Sequence, residues 1–156
     1  MEQVFASIDE LGDGPGFRKV RQALGITAFG VNALVFPPGS GGVLHYHETQ
    51  DELYFVHRGL AGVEVEHERF ELGAGGLVHV EAETPRRVWN AGDEDLVLLI
   101  VGAFGGYVGR DGHMVDPADE ERRRAFSAGD ATAIRLERGA RAVEPATEKP
   151  EHLGND

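Results

Sequence analysis

The chain has 156 residues, a formal net charge of −12 and no cysteine. This length suits one domain with a sizeable core, and 41% hydrophobic with 27% charged residues is typical of a globular protein. The negative charge argues against nucleic acid and against anionic membrane surfaces as partners. The absence of cysteine excludes disulfides, cysteine zinc sites and thiol catalysis.

The sequence also lacks the features of an exported or membrane-inserted chain. No stretch reaches the ~18 apolar residues that a spanning helix needs, and the acidic N-terminus has no signal-peptide pattern. We therefore expect a cytoplasmic protein without a membrane partner. The preference for arginine over lysine, together with many alanines and glycines, favours a GC-rich bacterial source.

Short segments rich in β-branched and aromatic residues, several with alternating polar residues, run through most of the chain, and glycine-rich turns separate them. Such segments are typical of β-strands. The predicted strands are residues 4–8, 17–24, 29–36, 43–47, 53–57, 61–67, 69–72, 77–80, 86–90 and 96–101. Many short strands at regular spacing predict an all-β sandwich or barrel.

The character of the sequence changes after residue 101. A glycine-rich connector leads to a predicted helix at residues 116–126, with Asp116 as its cap and Pro117 in its first turn. Residues 127–156 are polar and predict a tail that is largely disordered unless it docks, with a short strand candidate at 132–136. The predicted organisation is an N-terminal extension (1–28), a barrel core (29–104), connector and helix (105–126) and tail (127–156).

The most informative stretch contains two histidines and a glutamate between two glycines. His45 and His47 are two residues apart in a predicted strand, so both imidazoles point to the same face. Glu52 opens the next predicted strand, and its carboxylate can turn back toward them. Two imidazoles and one carboxylate on adjacent strands form a facial ligand set for a divalent transition metal.

This stretch resembles the first motif of the cupin superfamily. The matching spacing is Gly39, five residues, His45-x-His47, four residues, Glu52, six residues and a closing glycine at 59. A degraded second motif runs from residue 75 to residue 90, with Glu81 and Glu83 at the family's usual Pro and Gly. The resemblance covers residues 29–101 and implies a double-stranded β-helix, or jelly-roll, barrel with His45, His47 and Glu52 as metal ligands. The implied metal is Fe, Mn, Ni or Zn.

Arg86 stands where the family has its fourth ligand, a histidine. A guanidinium cannot ligate a metal, and at about 4 Å it repels a dication by roughly 8 kcal/mol at an effective dielectric near 20. Three arrangements are open. Arg86 points away and leaves a three-ligand site, or it points inward and pairs with Glu52 in a metal-free pocket. In the third, a metal binds and Arg86 holds the carboxylate of a bound anion.

Four other residues near the motifs have competing interpretations. Tyr54 shares a face with Glu52 and lines either the pocket or the core. His79 is interpreted as structural, on the barrel wall or at a dimer contact. Trp89 is interpreted as core or oligomer interface, and Asn90 as a partner for turn backbone.

Two functions compete for this sequence. The first is a metal-dependent enzyme, dioxygenase-like or isomerase-like, that acts on a small oxygenated substrate with Tyr54 and Arg86 as substrate contacts. The second is a metal-free binding or sensing protein in which Arg86 holds a small anion. The resemblance also implies a homodimer, which would cover edge strands.

Overall fold

The computed structural model describes residues 4–136 of the chain. Its strands are Gly16–Arg18 (β1), Gly30–Phe36 (β2), His45–His47 (β3), Asp51–Arg58 (β4), Ala61–Val65 (β5), Glu68–Leu72 (β6), Leu77–Val80 (β7), Arg86–Asn90 (β8), Leu96–Ala103 (β9) and Gly112–Met114 (β10). The helices are Val20–Ala23 (α1) and Asp119–Ser127 (α2), with 3-10 turns at Ile8–Glu10 and Ala131–Ile134. None of the helices in this part of the chain has the length and apolar character needed to cross a membrane.

The strands form two antiparallel five-stranded sheets. The first has the order β1-β2-β9-β4-β7 and the second the order β10-β3-β8-β5-β6. Strands that follow each other in the chain mostly lie in opposite sheets, so the chain winds back and forth between the two. This winding is the double-stranded β-helix that the motifs imply, and the all-β prediction is confirmed.

The strand predictions are accurate in the barrel and poor before it. Every strand predicted between residues 29 and 101 is present, with ends within two residues of the prediction. The strand predicted at residues 4–8 is wrong, because Ser7 and Glu10 form a capping box that starts the turn Ile8–Glu10. The strand predicted at 17–24 is correct only at its start, where β1 pairs with β2 before α1 begins.

The core lies between the two sheets and follows the alternation of the strands. On β4, Glu52, Tyr54 and Val56 point inward and are at most 8% exposed, whereas Leu53 points outward and is 39% exposed. The second sheet contributes side chains such as Val63 to the same core. At one end of β4, the inward-facing residues Glu52 and Tyr54 therefore place polar groups, and not apolar side chains, in the interior.

The C-terminal helix closes one side of the barrel. The helix was predicted from residue 116 but begins at Asp119, because the Asp116 carboxylate accepts the N–H of Ala118 in a preceding turn. Phe126 is 8% exposed, with its ring centroid 5.5 Å from that of Phe17 and 5.9 Å from that of Phe36.

The expectation of a largely disordered tail from residue 127 is wrong for residues 127–136. Ile134 is 3% exposed, and its carbonyl accepts the N–H of Gly41 at 2.9 Å. Instead of the strand suggested at 132–136, the chain forms the turn Ala131–Ile134, which Asp130 caps by accepting the N–H of Thr132. A single apolar side chain and a cap are enough to dock this segment, and the remaining predicted tail, residues 137–156, lies outside the described residues.

The contact between Gly62 and Trp89 gives a test of the barrel packing. The two residues are cross-strand partners on β5 and β8, and a Cβ at position 62 would overlap the indole ring, which is 2% exposed. We predict that Gly62→Ala lowers the free energy of unfolding by about 1–3 kcal/mol in urea denaturation. Gly73→Ala is the control, since a Cβ there meets nothing within 4 Å; equal stability of both variants would contradict the observed packing.

Candidate metal centre

Two histidines and one glutamate meet inside the barrel. The Nε2 atom of His47 lies 3.1 Å from Oε1 of Glu52, and Nε2 of His45 lies 4.0 Å from Oε2 of the same carboxylate. One ligand atom from each residue lies within 4.8 Å of the others. The histidines belong to β3 of one sheet and Glu52 to β4 of the other. Glu52 therefore reaches them across the barrel, whereas the sequence had suggested neighbouring strands.

The hydrogen bonds of the two imidazoles assign different tautomers to them. Nδ1 of His45 lies 3.0 Å from the carbonyl oxygen of Val43, so this nitrogen carries the proton and Nε2 keeps its lone pair. Nδ1 of His47 accepts from the amide nitrogen of Gln50 at 3.0 Å, and its Nε2–H donates to Glu52. His45 is ready to act as a ligand, and His47 becomes one when its proton moves to Nδ1.

A carboxylate lies near that nitrogen without a hydrogen bond to it. Oδ2 of Asp111 is 3.7 Å from Nδ1 of His47. The Asp111 carboxylate also accepts the backbone N–H groups of Thr49 and Gln50 at 3.0 and 2.9 Å. It thus holds the turn by which the chain crosses from β3 to β4, between the histidines and Glu52.

Neither Gln50 nor Asp111 was identified from the sequence. Gln50 sits inside the polar link between the two predicted strands, and Asp111 lies in a glycine-rich connector. The pairing of β10 with β3, which brings Gly112 opposite His47, was also missed. A three-residue strand after a glycine run carries too little hydrophobic pattern for detection. Only the tertiary structure brings Asp111 to the site.

The Glu52 carboxylate is held by two further residues. The Tyr54 hydroxyl donates to Oε2, and Nε of Arg86 lies 3.4 Å from the same oxygen. Burial and the charge of Glu52 raise the pKa of Tyr54 well above 10, so its hydroxyl stays a donor. These contacts engage Oε2 and leave Oε1 facing His47.

Arg86 points inward and is fully buried. Its terminal nitrogens donate to the backbone carbonyls of Thr84 at 2.8 Å and Glu81 at 3.2 Å, with a longer contact to Val80. The inward direction of Arg86 and its ion pair with Glu52 are those of the second arrangement considered. The terminal nitrogens of the guanidinium are hydrogen-bonded to backbone carbonyls, whereas its buried Nε has only the charge contact with Glu52. The residues lining the nearby cavity do not include Arg86.

A cavity of about 740 Å³ opens onto the His45, His47 and Glu52 cluster. Tyr54, predicted at either pocket or core, belongs to both, since it lines the cavity and is 4% exposed. Apolar side chains form much of the remaining wall, among them Phe17, Leu34, Phe36, Leu98 and Ile100. The cluster thus presents its donor atoms to an open cavity with mainly apolar walls.

Burial and charge set the protonation of the cluster. Burial lowers the pKa of His45 below 6.5, although the nearby Glu52 carboxylate acts in the opposite direction. Burial would raise the pKa of Glu52, but the hydrogen bond and charge of His47 outweigh it and hold that pKa below its usual value. The cluster therefore offers a neutral His45 and an ionised Glu52 at neutral pH.

The other residues that the sequence singled out near the motifs make contacts typical of structural roles. His79 is exposed and bonds to the Asp51 carboxylate at 2.8 Å. Trp89 is buried in the core, as one of its two interpretations had it. Asn90 donates to the carbonyls of Phe36 and Glu94 and accepts the N–H of Gly92, which confirms its interpretation as a partner for turn backbone.

Comparison with known proteins agrees with the fold and the motifs. Residues 33–102 match the model of the cupin domain, so this part of the chain is a cupin domain. An uncharacterized protein of Methanocaldococcus jannaschii is 31% identical over 65 residues, which are 42% of this chain and 52% of that protein. The match therefore spans about half the length of this relative.

Solved structures share the fold at low sequence identity. A protein with a double-stranded β-helix domain from Klebsiella pneumoniae superposes with a TM-score of 0.62 at 19% identity, covering 74% of this chain and 99% of that one. A cupin protein from Bacteroides fragilis gives 0.57 at 21%, covering 66% and 85%.

Enzymes of several reaction types are among the structures with this fold. A putative sugar phosphate isomerase from Acidithiobacillus ferrooxidans has a TM-score of 0.52 at 23% identity, covering 55% of this chain and 56% of that one. A DMSP lyase from Ruegeria pomeroyi gives 0.51 at 21%, covering 58% and 44%. Oxalate decarboxylase from Lactobacillus farciminis gives 0.54 at 19%, covering 67% and 31%.

The lowered pKa of His45 predicts how stability depends on pH. The unfolded chain binds a proton at this residue near pH 6.5, whereas the folded chain resists it. The stability of chelator-treated protein should therefore fall as the pH drops below about 6.5. In urea denaturation between pH 5 and 8, His45→Gln should show a shallower loss over this range. An identical slope in wild type and variant would contradict the prediction.

The surroundings of Arg86 predict a structural role. Arg86→Gln removes the buried counter-charge of Glu52 and leaves backbone carbonyls without donors, so we expect a loss of about 3–5 kcal/mol in the free energy of unfolding. Arg87→Gln is the matched control, because Arg87 pairs with Glu64 at the surface with 26% of its side chain exposed, and about 0–1 kcal/mol is expected. A stable Arg86→Gln protein would contradict this assignment.

Proposed function

We propose that this protein binds a divalent transition metal through His45, His47 and Glu52 and acts on a small oxygenated substrate in the adjoining cavity. The observation that carries the proposal is the meeting of the three donor groups, one from each residue, at the wall of a cavity. Two imidazoles and a carboxylate with positions left for other ligands form a donor set suited to Fe, Mn, Ni or Zn.

The residues present fit such an ion. His47 lies 3.1 Å from Oε1 of Glu52 and His45 lies 4.0 Å from Oε2, and one ligand atom from each of the three residues lies within 4.8 Å of the others. Small side-chain movements bring such a group to the roughly 2.0–2.2 Å bonds of a metal ion. Arg86 does not take a ligand position, since it lies on the Oε2 side of Glu52 and its terminal nitrogens are bonded to backbone carbonyls. The centre would therefore have three protein ligands.

A metal ion at this place would supply Lewis acidity toward an oxygen atom of the substrate. The surrounding residues have separate tasks. Gln50, at 3.0 Å, and the Asp111 carboxylate, at 3.7 Å, lie beside Nδ1 of His47 and orient the ring whose Nε2 would bind the ion. Tyr54 and Arg86 hold the Glu52 carboxylate in position, and the apolar wall limits the access of water.

The reaction class follows from the centre only in outline. Isomerase, lyase and decarboxylase cupins share this fold, and a fold alone does not select among them. We propose a dioxygenase-like or isomerase-like activity. The metal-free alternative in which Arg86 holds an anion has less support, because the structure places this residue outside the cavity lining.

A homodimer stays a prediction for this chain. Several apolar side chains on the surface support it, namely Phe5 at 90% exposure, Leu77 at 59% and Leu53 at 39%. Leu53 and Leu77 lie on neighbouring strands of the first sheet, β4 and β7, and point outward. A second copy packed there would cover both residues and the β7 edge.

Metal content tests the proposal directly. In protein purified without chelator, or loaded anaerobically with Fe(II) or Mn(II), elemental mass spectrometry should find about one ion per chain. The double variant His45→Ala, His47→Ala should lose the ion because two of three ligands are gone. His79→Ala, which removes an exposed histidine outside the cluster, should retain it. Wild-type protein that stays free of metal after loading would refute the proposal.

A further inference from the structure

Arginines line the same cavity in a chain whose net charge is −12. The four are Arg21, Arg110, Arg122 and Arg123. The carboxylates in the lining are those of Glu52 and Asp111, and both already accept hydrogen bonds from the protein. Positively charged side chains therefore line this cavity, although the net charge of the whole chain is negative.

Two of the four arginines are neutralised by their own helix. Arg122 pairs with Asp119 at 3.0 Å and donates to the carbonyl of Ala133, and Arg123 pairs with Glu120. These pairs make part of α2 an internally paired surface. They leave little charge for a ligand.

Arg21 and Arg110 differ, because neither has an ion-pair partner within residues 4–136. The guanidinium carbon of Arg21 lies 3.9 Å from the centre of the Tyr107 ring. Stacking uses the face of the planar guanidinium and leaves its N–H edge available for a carboxylate. The bond that Arg21 makes to the carbonyl of Ile26 is long, at 3.4 Å, and holds only one of its nitrogens.

Tyr107 brings the two arginines to one part of the cavity. A Cβ at Gly30 would lie 3.3 Å from one edge of the Tyr107 ring, and a Cβ at Gly109 would lie 3.2 Å from its hydroxyl. The ring therefore spans from β2 to the residue before Arg110. The Arg21 guanidinium stacks on this ring, and Arg110 follows in the chain where the ring ends and lines the same cavity.

We propose that Arg21 and Arg110 form a subsite for the carboxylate of a small organic acid. The apolar wall of the cavity receives the hydrocarbon body of this acid, and the body extends toward His45, His47 and Glu52. The inference rests on the proposed function in taking this cavity as the substrate site, and it names the substrate class. Two guanidinium groups give charge-assisted hydrogen bonds that an uncharged amide of the same shape cannot match.

Binding of matched acids and amides tests the subsite. Butanoate, hexanoate and octanoate are titrated by calorimetry into metal-loaded protein, each beside its primary amide. We expect the acids to bind at least about tenfold more tightly than the amides. Arg21→Gln and Arg110→Gln should each weaken acid binding by about tenfold or more. Arg124→Gln changes an exposed arginine of α2 that does not line the cavity, and it should leave acid binding unchanged.

Metal content measured on the same samples separates the two proposals. Arg21→Gln and Arg110→Gln should keep the ion, so their loss of acid binding reports on the subsite alone. If wild-type protein holds no metal but still binds acids through these arginines, the metal proposal fails and the subsite stands. Amides that bind as tightly as acids would overturn the subsite, as would arginine variants no weaker than Arg124→Gln.

Discussion

The contact between Glu52 and Arg86 is the constraint on which the rest of the site depends. A fully buried guanidinium needs a counter-charge and hydrogen-bond acceptors, and here it has the Glu52 carboxylate on one side and backbone carbonyls on the other. The same carboxylate meets His47 at 3.1 Å. Oε2 of Glu52 thus meets Tyr54 and Arg86, while Oε1 faces His47, so a permanent cation is accommodated next to a candidate metal centre.

The site also depends on the crossing between the sheets. His45 and His47 belong to one sheet and Glu52 to the other, so their approach is set by the short turn between β3 and β4. Asp111 binds two backbone N–H groups of this turn and lies beside the His47 ring. The Asp111 carboxylate, directly before β10, therefore holds the path of the chain at this turn and lies beside a candidate ligand. It links the C-terminal part of the protein to the chemistry of the barrel.

The sequence was sufficient for the barrel and for the three donor residues, because these follow from local patterns. Alternation set the strands, and the spacing of His45, His47 and Glu52 placed three side chains on interior faces. The N-terminal turn was missed, since the capping box of Ser7 and Glu10 outweighs the strand preference of Val4 and Phe5. Contacts between distant segments, such as Asp111 with the β3–β4 turn and Ile134 with Gly41, leave no local pattern and need the tertiary structure.

The sequence could not predict the direction of the Arg86 side chain either, because a buried arginine and a ligand-binding arginine have the same sequence pattern. The structure bonds it to Glu52 and to backbone carbonyls, and the unpaired arginines beside the cavity are Arg21 and Arg110 within the described part of the chain. In our proposal, an anion is recognised by Arg21 on α1 and Arg110 in the glycine-rich connector, and not by Arg86 in the cupin motif.

The central claim is that His45, His47 and Glu52 together bind one metal ion. X-ray absorption spectroscopy of the metal-loaded protein tests it most directly, because the outer-shell scattering of imidazole differs from that of carboxylate or water. We predict a spectrum with two imidazole ligands and the remaining donors oxygen. A first shell of oxygen atoms without imidazole scattering would place the metal elsewhere and contradict the account.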